Sequence, residues 1–137
     1  MKSISLTNLK NKVQAVVNEY IRKRDSDFGY FKCISCGKLK SIEFMDAGHY
    51  YSTKMYDGLR FNEDNIHGQC KYCNKFLYGN TVNYRDNLFF KIGPERFEKL
   101  KKAAEKYKRD GYKWSMDELE KIMEEFKQKI KDRKSVV

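Results

Sequence analysis

Proline is nearly absent from this 137-residue chain, with Pro94 the single example, and there is no proline-rich linker, low-complexity tract or internal repeat. Nothing marks a boundary between folding units, so the reading is one domain over residues 1–137. No apolar run approaches the roughly 20 residues that span a bilayer. Met1 to Lys12 alternates polar and apolar residues where a secretory leader would have a continuous apolar stretch. A membrane-spanning or exported protein is therefore not expected, and the chain is assigned to a reducing cytoplasm. Acidic residues are outnumbered, 19 against 29 lysines and arginines, for a net charge of +10. That imbalance favours a polyanionic partner, nucleic acid first, although solubility alone would also account for it.

Apolar residues at Leu6, Leu9, Val13, Val16, Val17, Tyr20 and Ile21 fall at helical spacing and run into the basic cluster Arg22, Lys23 and Arg24. An N-terminal amphipathic helix is predicted within residues 1–25. Asp25 to Gly29 breaks the pattern. A short helix is predicted through Lys75, Phe76 and Leu77 up to Gly79, and a second from Asn80 or Thr81 to Lys91. Pro94 suits the first turn of another helix, with Phe97, Leu100, Ala104 and Tyr107 on one face and Gly111 ending it. Ser115 and Glu118 form a capping-box pattern ahead of the stripe Met116, Leu119, Ile122, Met123, Phe126 and Ile130. Residues 94–133 thus read as a C-terminal helical hairpin. Its lysines are either phosphate contacts or an ordinary solvated face.

Between these helical regions stand both histidines and all four cysteines. Cys33-Ile34-Ser35-Cys36 and Cys70-Lys71-Tyr72-Cys73 are two C-x2-C units, the arrangement by which four thiolates close a tetrahedron around Zn²⁺ at about 2.3 Å. Gly37 permits the tight turn after the first pair. No thioredoxin-like βαβ pattern surrounds either pair, which argues against redox chemistry. Four cysteine ligands leave no open coordination position, so the zinc is expected to be structural and any catalysis to lie elsewhere.

The order Cys-x2-Cys, Asp46-Ala47-Gly48-His49-Tyr50, Asn65-Ile66-His67-Gly68-Gln69-Cys70, then Cys73-Asn74 resembles the HNH, or ββα-metal, nucleases. Within them it is similar to the endonuclease VII type of junction resolvases, which also place Asn behind the second cysteine pair. More specific words resemble the NinG (Rap) family of lambdoid phages: Tyr20-Ile21-Arg22, Arg24-Asp25, Leu59-Arg60-Phe61-Asn62, Gly79-Asn80 and Tyr84-Arg85. The resemblance runs from about residue 20 to 96 and leaves the C-terminal helices without a counterpart. It implies an α+β fold, a small zinc-stapled ββα-metal core over residues 30–92 flanked by the N-terminal helix and the C-terminal helices. For a phage-encoded chain the compartment would be the host cytoplasm.

The resemblance also implies roles. His49, whose ordinary pKa of about 6.5 suits proton transfer near neutrality, would be the general base. Asn74 would offer its carboxamide oxygen to one catalytic Mg²⁺ or Mn²⁺, cations that prefer hard oxygen ligands. The metal-binding Asp normally precedes the His directly, and here Gly48 stands there; Asp46 is the nearest carboxylate and the candidate second ligand. Asn65 would tie down the loop beneath His49 through backbone hydrogen bonds. His67 is either a phosphate contact or a hydrogen-bonded structural histidine. Arg60, Lys71, Lys75 and Arg85 are the candidate DNA contacts, Arg85 foremost because a guanidinium grips phosphate through two N–H groups. Tyr72 and Phe76 are read as packing against the knuckle.

The implied activity is metal-dependent, structure-specific cleavage of branched DNA, Holliday junctions and D-loops, in phage recombination. Recombination proteins would be possible partners. Two symmetric cuts suggest a homodimer, through the N-terminal or C-terminal helix stripes. Two other readings stay open: a zinc-ribbon DNA-binding module without catalysis, and a site-specific, homing-type HNH endonuclease.

Overall fold

The computed structural model describes residues 4–135. Helix α1, Leu6–Asp25, opens on Ser5, whose hydroxyl accepts the Asn8 N–H at 3.1 Å, and ends on Arg22, Lys23 and Arg24, cations that suit the negative end of its dipole. Strands β1 (Ser26–Asp27), β2 (Tyr30–Lys32) and β3 (Leu39–Ser41) form a small antiparallel sheet in that order. The β1–β2 turn uses Phe28 and Gly29, both at positive φ, as a two-residue hairpin of matching twist requires. A second antiparallel pair, β4 (Met45–His49) and β5 (Ile66–Cys70), runs in register from Met45 opposite Cys70 to His49 opposite Ile66. A single wide turn of π-helix, Tyr72–Phe76, leads to α2, Thr81–Asp110, and then to α3, Met116–Ser135.

The two helices predicted on either side of Pro94 are the halves of α2, broken at Gly93 (φ 85°, ψ 165°). Proline crowds the α conformation of the residue before it, and glycine reaches the left-handed, extended alternative without a Cβ clash. Ser115 and Glu118 cap α3 reciprocally: the Ser115 hydroxyl accepts the Glu118 N–H at 3.2 Å, and the Glu118 carboxylate accepts the Ser115 N–H at 3.3 Å.

The β4–β5 pair is sandwiched between helices. On one face Ile66 joins Leu9, Val13, Val17 and Ile21 of α1 and Leu119 and Phe126 of α3 in a single apolar cluster. On the other, Tyr84, Leu88, Ile92, Leu100 and Ala104 of α2 pack with Ile34 and Leu59. The expected C-terminal hairpin is thus corrected: α3 lays its stripe on α1, not on the second half of α2. The same packing removes those stripes as a dimer contact, because α1 and α3 bury each other. Fold and sequence agree at the coarser level of helices around small antiparallel sheets.

Three residues at the end of α1 fasten it to the central strands. Arg22 donates to the carbonyls of Met45 (2.5 Å) and Ile42 (3.2 Å), and Arg24 to those of Glu63 (3.0 Å) and Ile66 (2.7 Å). Asp25, nearly buried, accepts from the Arg24 guanidinium and from the Gly68 N–H at 2.8 Å. Burial alone would raise the Asp25 pKa, but Arg24, Lys91 and the Gly68 N–H hold it below the ordinary carboxylate value.

Candidate metal centre and catalytic site

The four cysteine sulfurs converge: each lies within 4.8 Å of the others, with Cys36 and Cys70 at 4.0 Å, and none is in a disulfide. A tetrahedron of Zn–S bonds of about 2.3 Å has edges of roughly 3.8 Å, so the donor set fits zinc with little movement. Backbone amides already point at the sulfurs: Cys70 N–H to Cys33 Sγ at 3.3 Å, Cys73 N–H to Cys70 Sγ at 3.4 Å, Cys36 N–H to Cys33 Sγ at 3.5 Å. Such donors favour thiolates and orient them. Burial pushes the Cys73 thiol up to about 12; the Asn80 amide opposes this and neighbouring thiols reinforce it. A buried site of that kind becomes thiolate when a cation supplies the charge. Asn80 reaches Cys73 Sγ at 3.5 Å from a left-handed backbone (φ 42°), a support that the Gly79-Asn80 pair marked in the sequence without revealing its target.

His49, at the end of β4, is held by its Nε2 on the Arg60 carbonyl at 2.9 Å. A carbonyl only accepts, so the neutral ring carries its proton on Nε2, which leaves the Nδ1 lone pair as the basic atom. Burial lowers the His49 pKa, partly countered by that same hydrogen bond, and keeps the ring neutral near pH 7. The loop that presents Arg60 is tied beneath by Asn65, which is fully buried. Asn65 Oδ1 accepts the Tyr51 N–H at 2.8 Å, and its amide donates to the carbonyls of Tyr51 (3.0 Å) and Leu59 (3.2 Å).

Asp46, Lys71 and Asn74 come together. Asp46 accepts from Lys71 Nζ at 2.6 Å and from the Asn74 amide at 3.0 Å. Burial would raise its pKa; the Lys71 and Asn74 hydrogen bonds outweigh it and the carboxylate is held low. No hydrogen bond joins His49 to this trio. Strand alternation puts Asp46 and Gly48 on one face of β4 and His49 on the other. Asp46 therefore stands on the same face as the residue directly before the histidine. Position 48 itself has no room for a side chain, because a Cβ there would run into the Gln69 carboxamide oxygen. Gln69 is fixed by its amide on Ser35 Oγ (2.9 Å) and the Gly79 carbonyl (2.6 Å). For a hard divalent cation the group offers Asp46 carboxylate oxygen and Asn74 Oδ1, which accepts no hydrogen bond among the described residues, and Lys71 marks the spot as one where positive charge is favoured.

The remaining predicted contacts divide. His67 is 2% exposed under Tyr84, whose hydroxyl donates to the Gly48 carbonyl at 2.7 Å and lies 3.4 Å from His67 Nδ1. It is a structural histidine, out of reach of phosphate, which corrects its place among the DNA contacts. Arg60 lies 3.3 Å from Asp57, which Lys10 also holds at 2.8 Å. Lys75 and Arg85 face solvent, the latter 3.3 Å from Asp86. Tyr72 and Phe76 do not pack under the knuckle as read from the sequence; they are 59% and 72% exposed.

Fold and site together define a small helix-clasped protein built on a four-cysteine metal knuckle. Residues 2–135 match the family model described as Bacteriophage Lambda NinG protein. The chain is 42% identical over 119 residues to the protein ninG of Escherichia phage lambda, covering 87% of this chain and 54% of that one. It is 41% identical to the Salmonella phage P22 protein ninG, again over 87% of this chain and 54% of the other. The chain belongs to the NinG family, and it spans about half the length of these relatives. No solved structure matches it. Among the described residues no helix is long and apolar enough to cross a membrane.

Proposed function

We propose that this protein is a metal-dependent DNA endonuclease that cuts branched recombination intermediates, Holliday junctions and D-loops, with His49 as the general base. The observation that carries the reading is the Nε2 contact of His49 with the Arg60 carbonyl, because it selects the tautomer whose Nδ1 can take a proton from water. His49 accepts that proton as water attacks the scissile phosphorus. Asn65 keeps the supporting loop, and so the ring, in place. Asp46 and Asn74 would hold Mg²⁺ or Mn²⁺, which when bound supplies positive charge to the phosphate and leaving oxygens. Lys71 then gives up a carboxylate oxygen and its ammonium becomes available to DNA, alongside Lys75 and Arg85. Cys33, Cys36, Cys70 and Cys73 would hold a structural zinc, which when bound would brace the turn that carries Asn74. Cutting two strands of a junction calls for two copies, and since α1 and α3 cover one another, the contact between copies falls on other surfaces.

The test incubates the zinc-loaded protein with Mg²⁺ or Mn²⁺ and labelled four-way junction, linear duplex and single-stranded DNA of one sequence. Junction strands should be cut. His49→Ala should slow cleavage by about 10²–10⁴-fold with zinc content and junction affinity unchanged, and Asn74→Ala should abolish it. A His49→Ala protein that cuts at the parent rate removes the assignment. The Lys71–Asp46 pair suits a second reading, a DNA-binding module without chemistry. Retained junction binding with no cleavage in either metal selects that one.

A further inference from the structure

The turn that carries Asn74 also carries two aromatic rings that the chemistry does not use. Tyr72 and Phe76 stack on each other, centroids 5.7 Å apart and planes 29° from parallel, and each keeps more than half its surface in solvent. Single exposed rings are ordinary on a protein surface, whereas adjoining ones that form a patch mark a place of contact. Here the turn is rigid. Cys73, between the rings in sequence, is a knuckle residue and fully buried; Leu77 N–H closes on the Tyr72 carbonyl at 3.1 Å and Gly79 N–H on that of Cys73 at 2.9 Å. The rings are therefore displayed by a fixed scaffold.

Two lysines adjoin them in the chain, Lys75 exposed and Lys71 paired with Asp46 at 2.6 Å. Lys75 lies between the rings in sequence, Lys71 directly precedes Tyr72, and the chain carries +10 overall. Aromatic faces interleaved with lysines are the chemistry of nucleic acid whose bases are not already stacked: lysines meet phosphates and rings meet base faces. In a continuous duplex every base face is covered by its neighbours. Open faces occur in single strands and where a helix is interrupted.

We infer that Tyr72 and Phe76 form a stacking platform for unpaired or terminal bases of DNA, so that the protein engages DNA where stacking is broken, next to Asn74. The inference rests on the endonuclease reading only for placing the platform beside the cut. Binding itself is independent of cleavage.

The experiment uses the full zinc-loaded chain without added Mg²⁺ or Mn²⁺ and compares it with Tyr72→Leu/Phe76→Leu, which keeps apolar bulk and removes both aromatic faces. Phe76→Leu alone provides a milder variant. Affinity is measured by competition for a four-way junction, oligo-dT and a linear duplex with hairpin-closed ends. The double variant should bind the junction and oligo-dT at least about tenfold more weakly, a loss expected from stacking, and the closed duplex within about twofold of the parent. The slope of affinity with salt should stay the same, because no phosphate contact is removed, whereas Lys75→Ala should lower it by about one. With 2-aminopurine at the branch, emission should change on binding the parent and not the double variant. Equal affinities of parent and double variant for junction and oligo-dT overturn the proposal. So does a double variant that binds DNA normally but loses self-association in sedimentation, which would make the rings a contact between copies. Stacking without cleavage in any metal removes the endonuclease reading and leaves the platform; cleavage with unaltered DNA affinity in the double variant does the reverse.

Discussion

His67 is pressed from 6.5 to about 3, by burial first and by the Arg24 guanidinium second. The folded protein thus refuses a proton that the unfolded chain accepts. Stability is therefore full above about pH 6.5 and falls as pH drops, by about 1.4 kcal/mol per unit, or about 2 kcal/mol by pH 5. Urea unfolding at pH 7 and pH 5 should show this loss, and His67→Gln should lose about 2 kcal/mol less between the same two pH values. Gly48 has a different constraint. Its missing side chain leaves the space taken by the Gln69 carboxamide, so Gly48→Ala should cost about 1–3 kcal/mol through overpacking. A midpoint shift in the same unfolding assay checks it; an unchanged midpoint would mean Gln69 moves freely. At this scale the sequence exposes chemistry better than surroundings. The Asp46, His49 and Asn65 positions could be picked out by motif, but that Lys71 pairs with Asp46, that Arg60 serves His49 through its carbonyl, and that His67 is sealed by Tyr84 depend on contacts between residues far apart in the chain.

The helices show what periodicity does and does not carry. The stripes of α1 and α3 and the Ser115 cap follow from spacing alone, and both helices form where spacing puts them. Spacing states which face is apolar and not which face it meets, so the proximity of α3 to the second half of α2 in sequence suggested a hairpin that the packing replaces with an α1–α3 pair. Leu119 is fully buried in that pair. Leu119→Ala should therefore cost about 2–5 kcal/mol, whereas a helix lying free or in a loose hairpin would lose much less. The Arg22, Arg24 and Asp25 fastening was equally hidden, because a basic cluster at a helix end reads as a dipole effect and only the fold reveals which carbonyls it reaches.

Over the whole molecule, the knuckle joins the segment after β2 to the end of β5, where Ile34 N–H also reaches the Gly68 carbonyl at 3.0 Å. Cys33 and Cys36 follow β2, Cys70 ends β5, Cys73 lies in the π-helical turn after it, and Asn87 of α2 donates to the Ile34 and Ser35 carbonyls at 2.8 and 3.1 Å. Metal analysis should find one zinc per chain, and removal by a chelator should release all four thiols and abolish cooperative unfolding of residues 26–92. Hydrogen exchange checks the region: amides of β5 and the first half of α2 should lose protection, and retained protection would refute a structural metal. The α1–α3 pairing has a consequence for synthesis. Roughly 90 residues separate the end of one helix from the start of the other, which at ~5–20 residues per second takes roughly 5–20 s. During that interval the nascent α1 carries Val13 and Val17 without their partner helix. Its earliest shelter is the β4–β5 pair, reached through Arg24 and Asp25, so the polar fastening at the end of α1 guards an apolar face on the ribosome before α3 arrives to cover it.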